Sequence, residues 1–264
     1  MPKSEYDKRF EGLKRLYGAH SYAWLRKLHV AVVGIGGVGS WAVEALARSG
    51  IGSITLIDYD EIAASNTNRQ LHALSSTFGM KKVSVMSERI IQINPHCHIH
   101  AVDDFINMEN HEALLAKGYD CVIDAIDSIK FKAAMINYCR RHKLPIIATG
   151  GAGGLSDPTM IKVADLSRTY NDPLAAKVRR RLRESYGFSR NPKRSFGVEC
   201  VFSSQQQVYP KADGTVSHQK PGIHGISLDC RFGYGTSSCI TASFGFFAAA
   251  RAIEKMLKKK QAKA

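Results

Sequence analysis

Apolar and polar residues follow one another along this chain in blocks that predict alternating strands and helices. The run LHVAVVGIG is continuously apolar and ends in glycine, which is typical of a buried parallel strand. The next segment, SWAVEALARSG, has the spacing of a helix closed by Gly50, and SITLIDYD then predicts a second strand. Together these segments form a β-α-β unit, the building block of a parallel sheet.

The same alternation continues to about residue 154. A first helix, capped by Ser4, precedes the unit, and later apolar runs predict strands in HIHAVDD, YDCVIDAID and LPIIATGG. Helical spacing predicts helices over residues 80–93, 111–117 and 130–142. We therefore predict an α/β fold with a Rossmann-like, doubly wound and mostly parallel sheet that carries helices on both faces.

The regular alternation of strands and helices ends at about residue 154. A charged loop and helix over 165–194 are followed by SFGVECVFSSQQQVYP, which predicts a C-terminal extension with antiparallel strands, and by a polar loop over 211–225. We predict a single domain over residues 1–264, with a core at about 28–154 and the extension at about 155–264.

A long uncharged segment, residues 232–250, lies in this extension. Its length makes a membrane span conceivable, but its content of Gly, Ser, Thr and Ala favours a buried core helix. The Lys-rich segment that follows is a candidate for peripheral contact with anionic lipid. The charged N-terminus lacks the apolar region of a signal peptide, so we expect a cytoplasmic protein.

Positive charge is concentrated in two stretches of this 264-residue chain, whose formal net charge is +14. Residues 168–194 carry nine Lys and Arg against two acidic residues, and residues 251–264 carry six against one. Such clustering favours a polyanionic partner, although a solvated helix face and a basic tail would look the same. The six cysteines include no Cys-x-x-Cys pair, so we expect reduced thiols and no structural zinc.

A glycine-rich turn, Gly34-x-Gly36-x-x-Gly39, stands directly between the first β-α-β strand and its helix. Glycines let the backbone approach a phosphate, and the helix N-terminus offers free N–H groups to it. Asp58 ends the next strand, where its carboxylate can accept the ribose hydroxyls. The core is therefore predicted to bind a nucleotide, and up to this point NAD fits as well as ATP. A turn that serves only packing is the other alternative.

Polar and charged residues beyond the second strand favour ATP. Asn66, Arg69 and Lys82 can direct hydrogen bonds and positive charge at phosphates, and Asp127 ends a later strand where it can hold Mg²⁺. Hydride transfer needs little cationic help, whereas attack on an α-phosphate concentrates negative charge. Each residue taken alone is as consistent with a surface charge or a helix cap.

The stretch from GIGGVG to NTNRQ, with Lys82 and DAIDS, resembles the adenylating enzymes related to ubiquitin-activating enzyme and to bacterial activators of sulfur-carrier proteins. The resemblance implies that ATP and Mg²⁺ convert a carboxylate into an acyl adenylate, in a homodimer whose contacts lie in the extension. It also implies a role for each candidate residue. Gly34, Gly36 and Gly39 would form the nucleotide turn, and Asp58 would bind the ribose. Asn66, Arg69 and Lys82 would contact the phosphates, Asp127 would bind Mg²⁺, and Arg9 or Arg15 would reach across the dimer.

One branch of this family is the most similar. The motifs NTNRQ, RIIQINP, VIDAIDS, TGGAGG, DPLAAKVR and GVECVFS resemble the dehydratases that act on threonylcarbamoyladenosine in tRNA, and the usual zinc cysteines of sulfur-carrier activators are absent. This resemblance implies ATP-dependent ring closure of threonylcarbamoyladenosine at position 37 of tRNA, with residues 168–194 on the tRNA phosphates. A monovalent cation and a sulfur-transfer or cysteine desulfurase partner are further candidates.

Other interpretations are also consistent with the sequence. The chain can be an activator of a ubiquitin-like or sulfur-carrier protein, an NAD-dependent oxidoreductase, or an RNA-binding protein without catalysis. Cys200 and Cys230 are candidate nucleophiles, but an isolated cysteine is more often a small core residue. The histidines of HCHIH can bind a metal or line a solvated face. Residues 150–154 are expected either to approach a ligand closely or to form a plain loop.

Overall fold

A seven-stranded sheet organises the protein, as seen in a computed structural model that describes residues 4–211, 213–219 and 235–262. The strand order is β3-β2-β1-β4-β5-β7-β6, and all neighbouring pairs are parallel except β6 with β7. A short antiparallel pair, β8 with β9, lies outside the main sheet. The strands have these bounds: β1 His29–Val33, β2 Ser53–Ile57, β3 His98–Val102, β4 Cys121–Asp124, β5 Ile146–Thr149, β6 Ile161–Asp165, β7 Glu199–Ser203, β8 Tyr209–Pro210 and β9 Val216–Ser217.

Two of the helices begin at capping side chains, and the third is followed by a glycine. Ser4 caps the first helix by accepting the N–H of Asp7, and Asp172 caps the seventh by accepting the N–H of Ala175. Gly50, with a φ of 66°, follows the third helix. The helices have these bounds: α1 Glu5–Tyr17, α2 Ala19–Leu25, α3 Gly37–Arg48, α4 Lys82–Ile93, α5 His111–Leu115, α6 Ile129–Arg141, α7 Pro173–Ser185 and α8 Ser238–Gln261.

Two hydrophobic layers cover the two faces of the sheet because successive side chains of a strand point to opposite sides. Val30 and Val32 of β1 pack in one layer with side chains of α1, α3, α4 and α8, and Ala31 and Val33 pack in the other with α5, α6 and α7. Burial on both sides explains why the strands read as continuous apolar runs. The carboxyl ends of the parallel strands meet at one edge, where α/β proteins bind ligands.

The predicted α/β fold is confirmed, and the structure adds details that the pattern did not predict. Helix α2 and strand β6 were not foreseen, and β6 and β7 from beyond residue 154 belong to the same sheet as the core strands. The uncharged segment enters α8, which buries Phe244, Ala248 and Ile253 against the sheet and α3. Over the part of the chain that the structure describes, no helix is long and apolar enough to cross a membrane.

Candidate nucleotide site

The glycine turn between β1 and α3 leaves the N-terminus of the helix without a side-chain cap. Gly36 is the N-cap of α3, so no capping side chain occupies the free N–H groups of the first turn. A Cβ on Gly36 would meet only Gln70 Nε2, at 3.8 Å, whereas one on Gly39 would lie 1.7 Å from the carbonyl oxygen of Gly34. Gly39 is therefore required for packing, and Gly36 leaves space for a ligand.

Asp58, at the end of β2, is fixed by backbone N–H groups beside this turn. Its Oδ2 accepts the N–H of Ile35 at 2.5 Å and its Oδ1 accepts the N–H of Asp60 at 2.9 Å. Burial raises the pKa of Asp58, while the Lys82 ammonium and the two N–H donors oppose that rise. A carboxylate has about four lone-pair positions, so two remain for ribose hydroxyls.

Lys82, the first residue of α4, brings its ammonium group to the same place. The side chain is 5% exposed, and Nζ lies 2.6 Å from Asp60 Oδ2 and 4.0 Å from Asp58 Oδ1. The backbone N–H of Lys82 also donates to the carbonyl of Asp60, at 3.2 Å. Asp60 was not predicted as a site residue, since nothing in its spacing shows that it holds the lysine. A buried cation thus lies between the carboxylates of Asp58 and Asp60.

Arg69 lies against the first turn of α3. Its backbone carbonyl accepts hydrogen bonds from Trp41 Nε1 and Thr241 Oγ1, and its Nη1 donates to Ser65 and Asn68. A Cβ on Gly37 would lie 3.7 Å from Arg69 Cγ, so the guanidinium stem borders the helix N-terminus. A cavity of about 480 Å³ adjoins this arginine, with Asn68, Arg69 and Thr236 among its lining residues.

Asn66 has a structural role in the same loop. It is buried, and its Oδ1 accepts the N–H of Ala63 at 3.0 Å, while its carbonyl accepts the N–H groups of Arg69 and Gln70. The side chain therefore fixes the segment that carries Arg69. The amide Nδ2 of Asn66 makes no hydrogen bond within the described chain, so this atom would make the predicted contact with phosphate.

Asp127 follows β4, in a loop that packs on the glycine turn. A Cβ on Gly34 would come within 2.9 Å of the carbonyl oxygen of Ala125, which explains the positive φ and the glycine at that position. The Asp127 carboxylate is exposed, and Asp124 just before it is buried with Lys132 Nζ 2.8 Å from its Oδ1. This buried ion pair anchors the end of β4 and so positions the Asp127 loop.

The structure thus brings the glycine turn, Asp58 and Lys82 into direct contact, with Arg69 and the Asp127 loop at its borders. The 480 Å³ cavity is not lined by Gly34, Asp58, Lys82 or Asp127, so it adjoins the turn rather than containing it. No three His, Cys, Asp or Glu side chains cluster closely enough to hold a metal within residues 4–211, 213–219 and 235–262. A single carboxylate such as Asp127 nevertheless suits Mg²⁺, which usually keeps water and phosphate oxygens as its other ligands.

His72 is a buried residue of this site that the sequence pattern missed. Its Nε2 lies 2.9 Å from the carbonyl of Ile35, so Nε2 carries the hydrogen and donates it. Its Nδ1 has no hydrogen-bond partner among the described residues. Burial lowers the pKa of His72 to about 4, because protonation would place an unpaired N–H and a charge in the interior.

Replacing His72 by glutamine is expected to flatten the acid side of the stability profile. The unfolded chain protonates His72 near pH 6.5 and the folded chain near pH 4, so unfolding becomes easier as the pH falls between these values. From pH 7 to pH 5 the wild type should lose roughly 2 kcal/mol more than the variant, measured by urea unfolding at both pH values. Equal losses in the two proteins would show that His72 is protonated in the native state.

The other candidate residues are placed less favourably for chemistry. Cys200 is buried on β7, and burial raises the pKa of its thiol, so it is a core residue rather than a nucleophile. Cys230 lies outside the described residues. His98 and His100 are on β3 and His96 precedes it, without a metal cluster among the described residues. Arg9 is tied to the carbonyls of Gln92 and Ile93, whereas Arg15 is exposed.

The basic stretch 168–194 divides into exposed and internally bonded side chains. Arg179 donates to Thr169 Oγ1, and Arg183 donates to the carbonyl of Ser189 and lies over the ring of Phe196. Seven others are exposed, and of these Arg180 also pairs with Glu184: Arg168, Lys177, Arg180, Arg181, Arg190, Lys193 and Arg194. The prediction of a polyanion-binding surface therefore rests on these seven.

Known proteins with the same organisation extend over the whole chain. The model of the ThiF family matches residues 8–264. A tRNA threonylcarbamoyladenosine dehydratase of Haemophilus influenzae is 53% identical over 255 residues, which cover 97% of this chain and 95% of that protein. The Escherichia coli tRNA N6-threonylcarbamoyladenosine dehydratase, solved with ATP, superposes with a TM-score of 0.88 at 47% identity and covers 100% of both chains. The same E. coli protein solved with AMP gives a TM-score of 0.87 at 47% identity over 98% of both chains.

Proposed function

Because the chain belongs to the ThiF family, we propose that it catalyses the ATP-dependent dehydration of threonylcarbamoyladenosine at position 37 of tRNA to its cyclic form. The observation that carries this proposal is the similarity to dehydratases of this nucleoside across nearly the whole chain. The geometry at the β1-α3 turn agrees, since it offers free N–H groups, a buried ammonium and a ribose carboxylate to one nucleotide. NAD is disfavoured because hydride transfer needs little cationic help, whereas a buried ammonium lies 4.0 Å from Asp58.

ATP would bind along the carboxyl edge of the sheet. Its ribose would take the free lone pairs of Asp58, and its phosphates would lie on the first turn of α3, beside the open face of Gly36. Lys82 would exchange Asp60 for a phosphate oxygen, and the cost of losing this ion pair would be small because Asp60 is half exposed and regains water when released. Arg69 and the Nδ2 of Asn66 would complete the set of donors.

The first chemical step we propose is adenylation of the threonyl carboxylate. A carboxylate oxygen attacks the α-phosphorus of ATP, the bond to the β-phosphate bridge breaks, and pyrophosphate leaves. Lys82 and Arg69 would stabilise the negative charge that grows on the phosphate oxygens. Asp127 is the residue that would hold Mg²⁺, and the ion would supply positive charge to the phosphates. No residue of the chain has to form a covalent bond, in agreement with the burial of Cys200.

The second step is ring closure within the substrate. The neighbouring carbamoyl group attacks the activated carbonyl, AMP leaves with the former carboxylate oxygen, and one proton passes to solvent. The net change in the nucleoside is the loss of one water. Because both groups belong to one molecule, proximity supplies much of the rate, and the protein has only to hold the substrate and exclude bulk water.

Transfer RNA would approach over the seven exposed basic residues of 168–194. Contacts of this kind neutralise phosphates and position the RNA without reading its sequence, so affinity should fall steeply with salt. Position 37 lies in a single-stranded loop, which allows its base to be turned toward the protein. The stretch 251–264 contributes less, because Arg251 and Lys258 are paired with Glu254 and Lys260 with Asp120.

The assembly we propose is a cytoplasmic homodimer. Phe246 and Phe247 are exposed on α8, and Arg15 rather than Arg9 is free to reach a second protomer. A monovalent cation and a sulfur-transfer or cysteine desulfurase partner stay predictions. Peripheral membrane contact has little support, because most apolar side chains of α8 are buried. Two of its last lysines, Lys258 and Lys260, are also paired with carboxylates.

The decisive experiment combines the protein with ATP, Mg²⁺ and tRNA that carries threonylcarbamoyladenosine. After digestion, mass spectrometry is expected to show the nucleoside lighter by one water, with AMP formed in equal amount. tRNA with plain adenosine at position 37 is the matched control and should release no AMP. An unchanged nucleoside would refute the dehydratase; AMP formation on a sulfur-carrier protein would instead support the activator alternative.

A further inference from the structure

A second cavity, of about 320 Å³, opens at the carboxyl edge of the sheet between the start of α7 and the segment after β7. Its lining includes Asp172, Arg179, Gln207, Tyr209 and His218. Its volume lies within the range of pockets that hold small organic groups. None of the residues predicted for the nucleotide lines it, so it is a separate recess on the same edge.

Two polar side chains of this cavity are more than nine-tenths buried. Asp172 is 5% exposed, and its two oxygens accept one N–H each, from Ala175 at 2.8 Å and from Gly151 at 3.0 Å. Gln207 is 6% exposed; its Nε2 donates to the carbonyl of Gly153, and its Oε1 has no partner among the described residues. An unpaired buried acceptor costs stability, and a hydrogen bond from a ligand N–H would remove that cost.

The backbone after β5 is shaped around the same carboxylate. A Cβ on Gly150 would lie 1.7 Å from Asp172 Oδ2, and one on Gly151 would lie 3.5 Å from Gln207 Nε2. Only glycine at position 150 lets the end of β5 come this close to the cap of α7. Arg179 stands about two turns further along α7; it is half-buried, and burial lowers the pKa of its guanidinium. The cavity therefore presents buried acceptors beside one cation.

We infer that this cavity binds the carbamoyl linkage of the modified adenosine, an inference that rests on the proposed function. A ureido group, –NH–CO–NH–, has two N–H donors and one carbonyl acceptor. Asp172 and the Oε1 of Gln207 take the N–H groups, and Arg179 donates to the carbonyl. Plain adenosine has no such linkage, so this contact tells the modified base from the unmodified one.

The location of the cavity fits the reaction. Gly150 follows β5, which is separated from β1 only by β4. Since neighbouring strands are about 4.8 Å apart, the end of β5 lies about 10 Å along the edge from the glycine turn, and the cavity adjoins it through Asp172, which accepts the N–H of Gly151. The threonyl carboxylate is joined to the ureido nitrogen through one carbon atom, so a linkage held at β5 directs the carboxylate toward the phosphates over β1 and β4.

The test measures how strongly the protein prefers a modified anticodon loop. Two stem-loop RNAs, one with threonylcarbamoyladenosine and one with adenosine at position 37, are titrated without ATP by fluorescence anisotropy. The wild type is expected to bind the modified loop about tenfold more tightly, and Arg179→Gln to bring that ratio close to one. Arg181→Gln removes the same charge from an exposed position of α7, so it should weaken both loops alike and keep the ratio.

A second variant distinguishes a loss of the contact from a folding defect in Arg179→Gln. Gln207→Met has nearly the same shape and removes the unpaired Oε1, so it should lower the ratio while circular dichroism and the thermal midpoint show a native fold. A ratio near one in the wild type, or a ratio unchanged in both Arg179→Gln and Gln207→Met, overturns the inference. If the preference depends on Arg179 but no cyclic product forms with ATP, the proposed reaction is refuted and the binding role of the cavity is supported. If cyclic product forms but Arg179→Gln leaves the preference unchanged, the binding role is refuted and the reaction is supported.

Discussion

Replacing Lys82 by methionine is expected to lower kcat/KM for the dehydration by about 10²- to 10³-fold, the loss typical when one donor to a developing oxyanion is removed. The ammonium is buried beside Asp58 and Asp60, and no other Lys or Arg in the described part of the chain is paired with either carboxylate. Methionine keeps the aliphatic volume of the side chain, so the first turn of α4 should stay packed. The loss is measured from steady-state AMP release on modified tRNA.

Lys81 supplies the matched control because it is the adjacent lysine with a different environment. It is 39% exposed and pairs with Glu61 and Asp103 on the surface. Lys81→Met removes the same charge, so it should keep kcat/KM within about threefold of the wild type, since exposed pairs contribute little. Equal losses in both variants would mean that only the local charge matters, and full activity of Lys82→Met would show that the phosphate site lies elsewhere.

Substituting alanine at two glycines of the turn should separate folding from ligand binding. A methyl group on Gly39 would lie 1.7 Å from the carbonyl oxygen of Gly34, so backbone has to move, and Gly39→Ala should lower the free energy of unfolding by more than about 3 kcal/mol. A methyl group on Gly36 would meet only Gln70, at 3.8 Å. Gly36→Ala should therefore unfold within about 1 kcal/mol of the wild type and yet bind ATP at least about tenfold more weakly.

Urea unfolding and calorimetric titration with ATP check the two effects independently. The expected pattern is a stable Gly36→Ala protein with weakened ATP binding and a destabilised Gly39→Ala protein. Normal ATP affinity in Gly36→Ala would place the phosphates away from the first turn of α3. Native stability of Gly39→Ala would mean that α3 can shift away from Gly34 without cost.

Local patterns predicted the sheet because its central strands β1, β2, β4, β5 and β7 are buried on both faces and each connecting helix has one apolar side. That logic fails for β6, whose Lys162 and Asp165 interrupt the apolar run and whose place is fixed by pairing with β7. Helix α2 was missed because Gly18 separates it from α1 without a recognisable cap. In both cases tertiary contacts, rather than local preference, decide the structure.

The candidate site shows the same division between local and tertiary information. The glycine turn and Asp58 are recognisable because their spacing follows from one β-α-β unit. The pairing of Lys82 with Asp60 and the burial of His72 depend on how α4 and its preceding loop fold back, which spacing does not encode. The second cavity joins Gly151, Asp172 and Gln207 across 56 residues of chain, and only the three-dimensional fold brings them together.

The close packing of α8 on α3 has a consequence for biosynthesis. Gly245 leaves no room for a side chain between the helices, since a Cβ there would come within 2.6 Å of the carbonyl of Val38, and Thr241 Oγ1 holds the carbonyl of Arg69. The glycine turn is made early by the ribosome, but its helix gains this support only after α8 has left the exit tunnel. A nascent chain should therefore acquire affinity for ATP late, in one cooperative step, rather than gradually as its strands are translated.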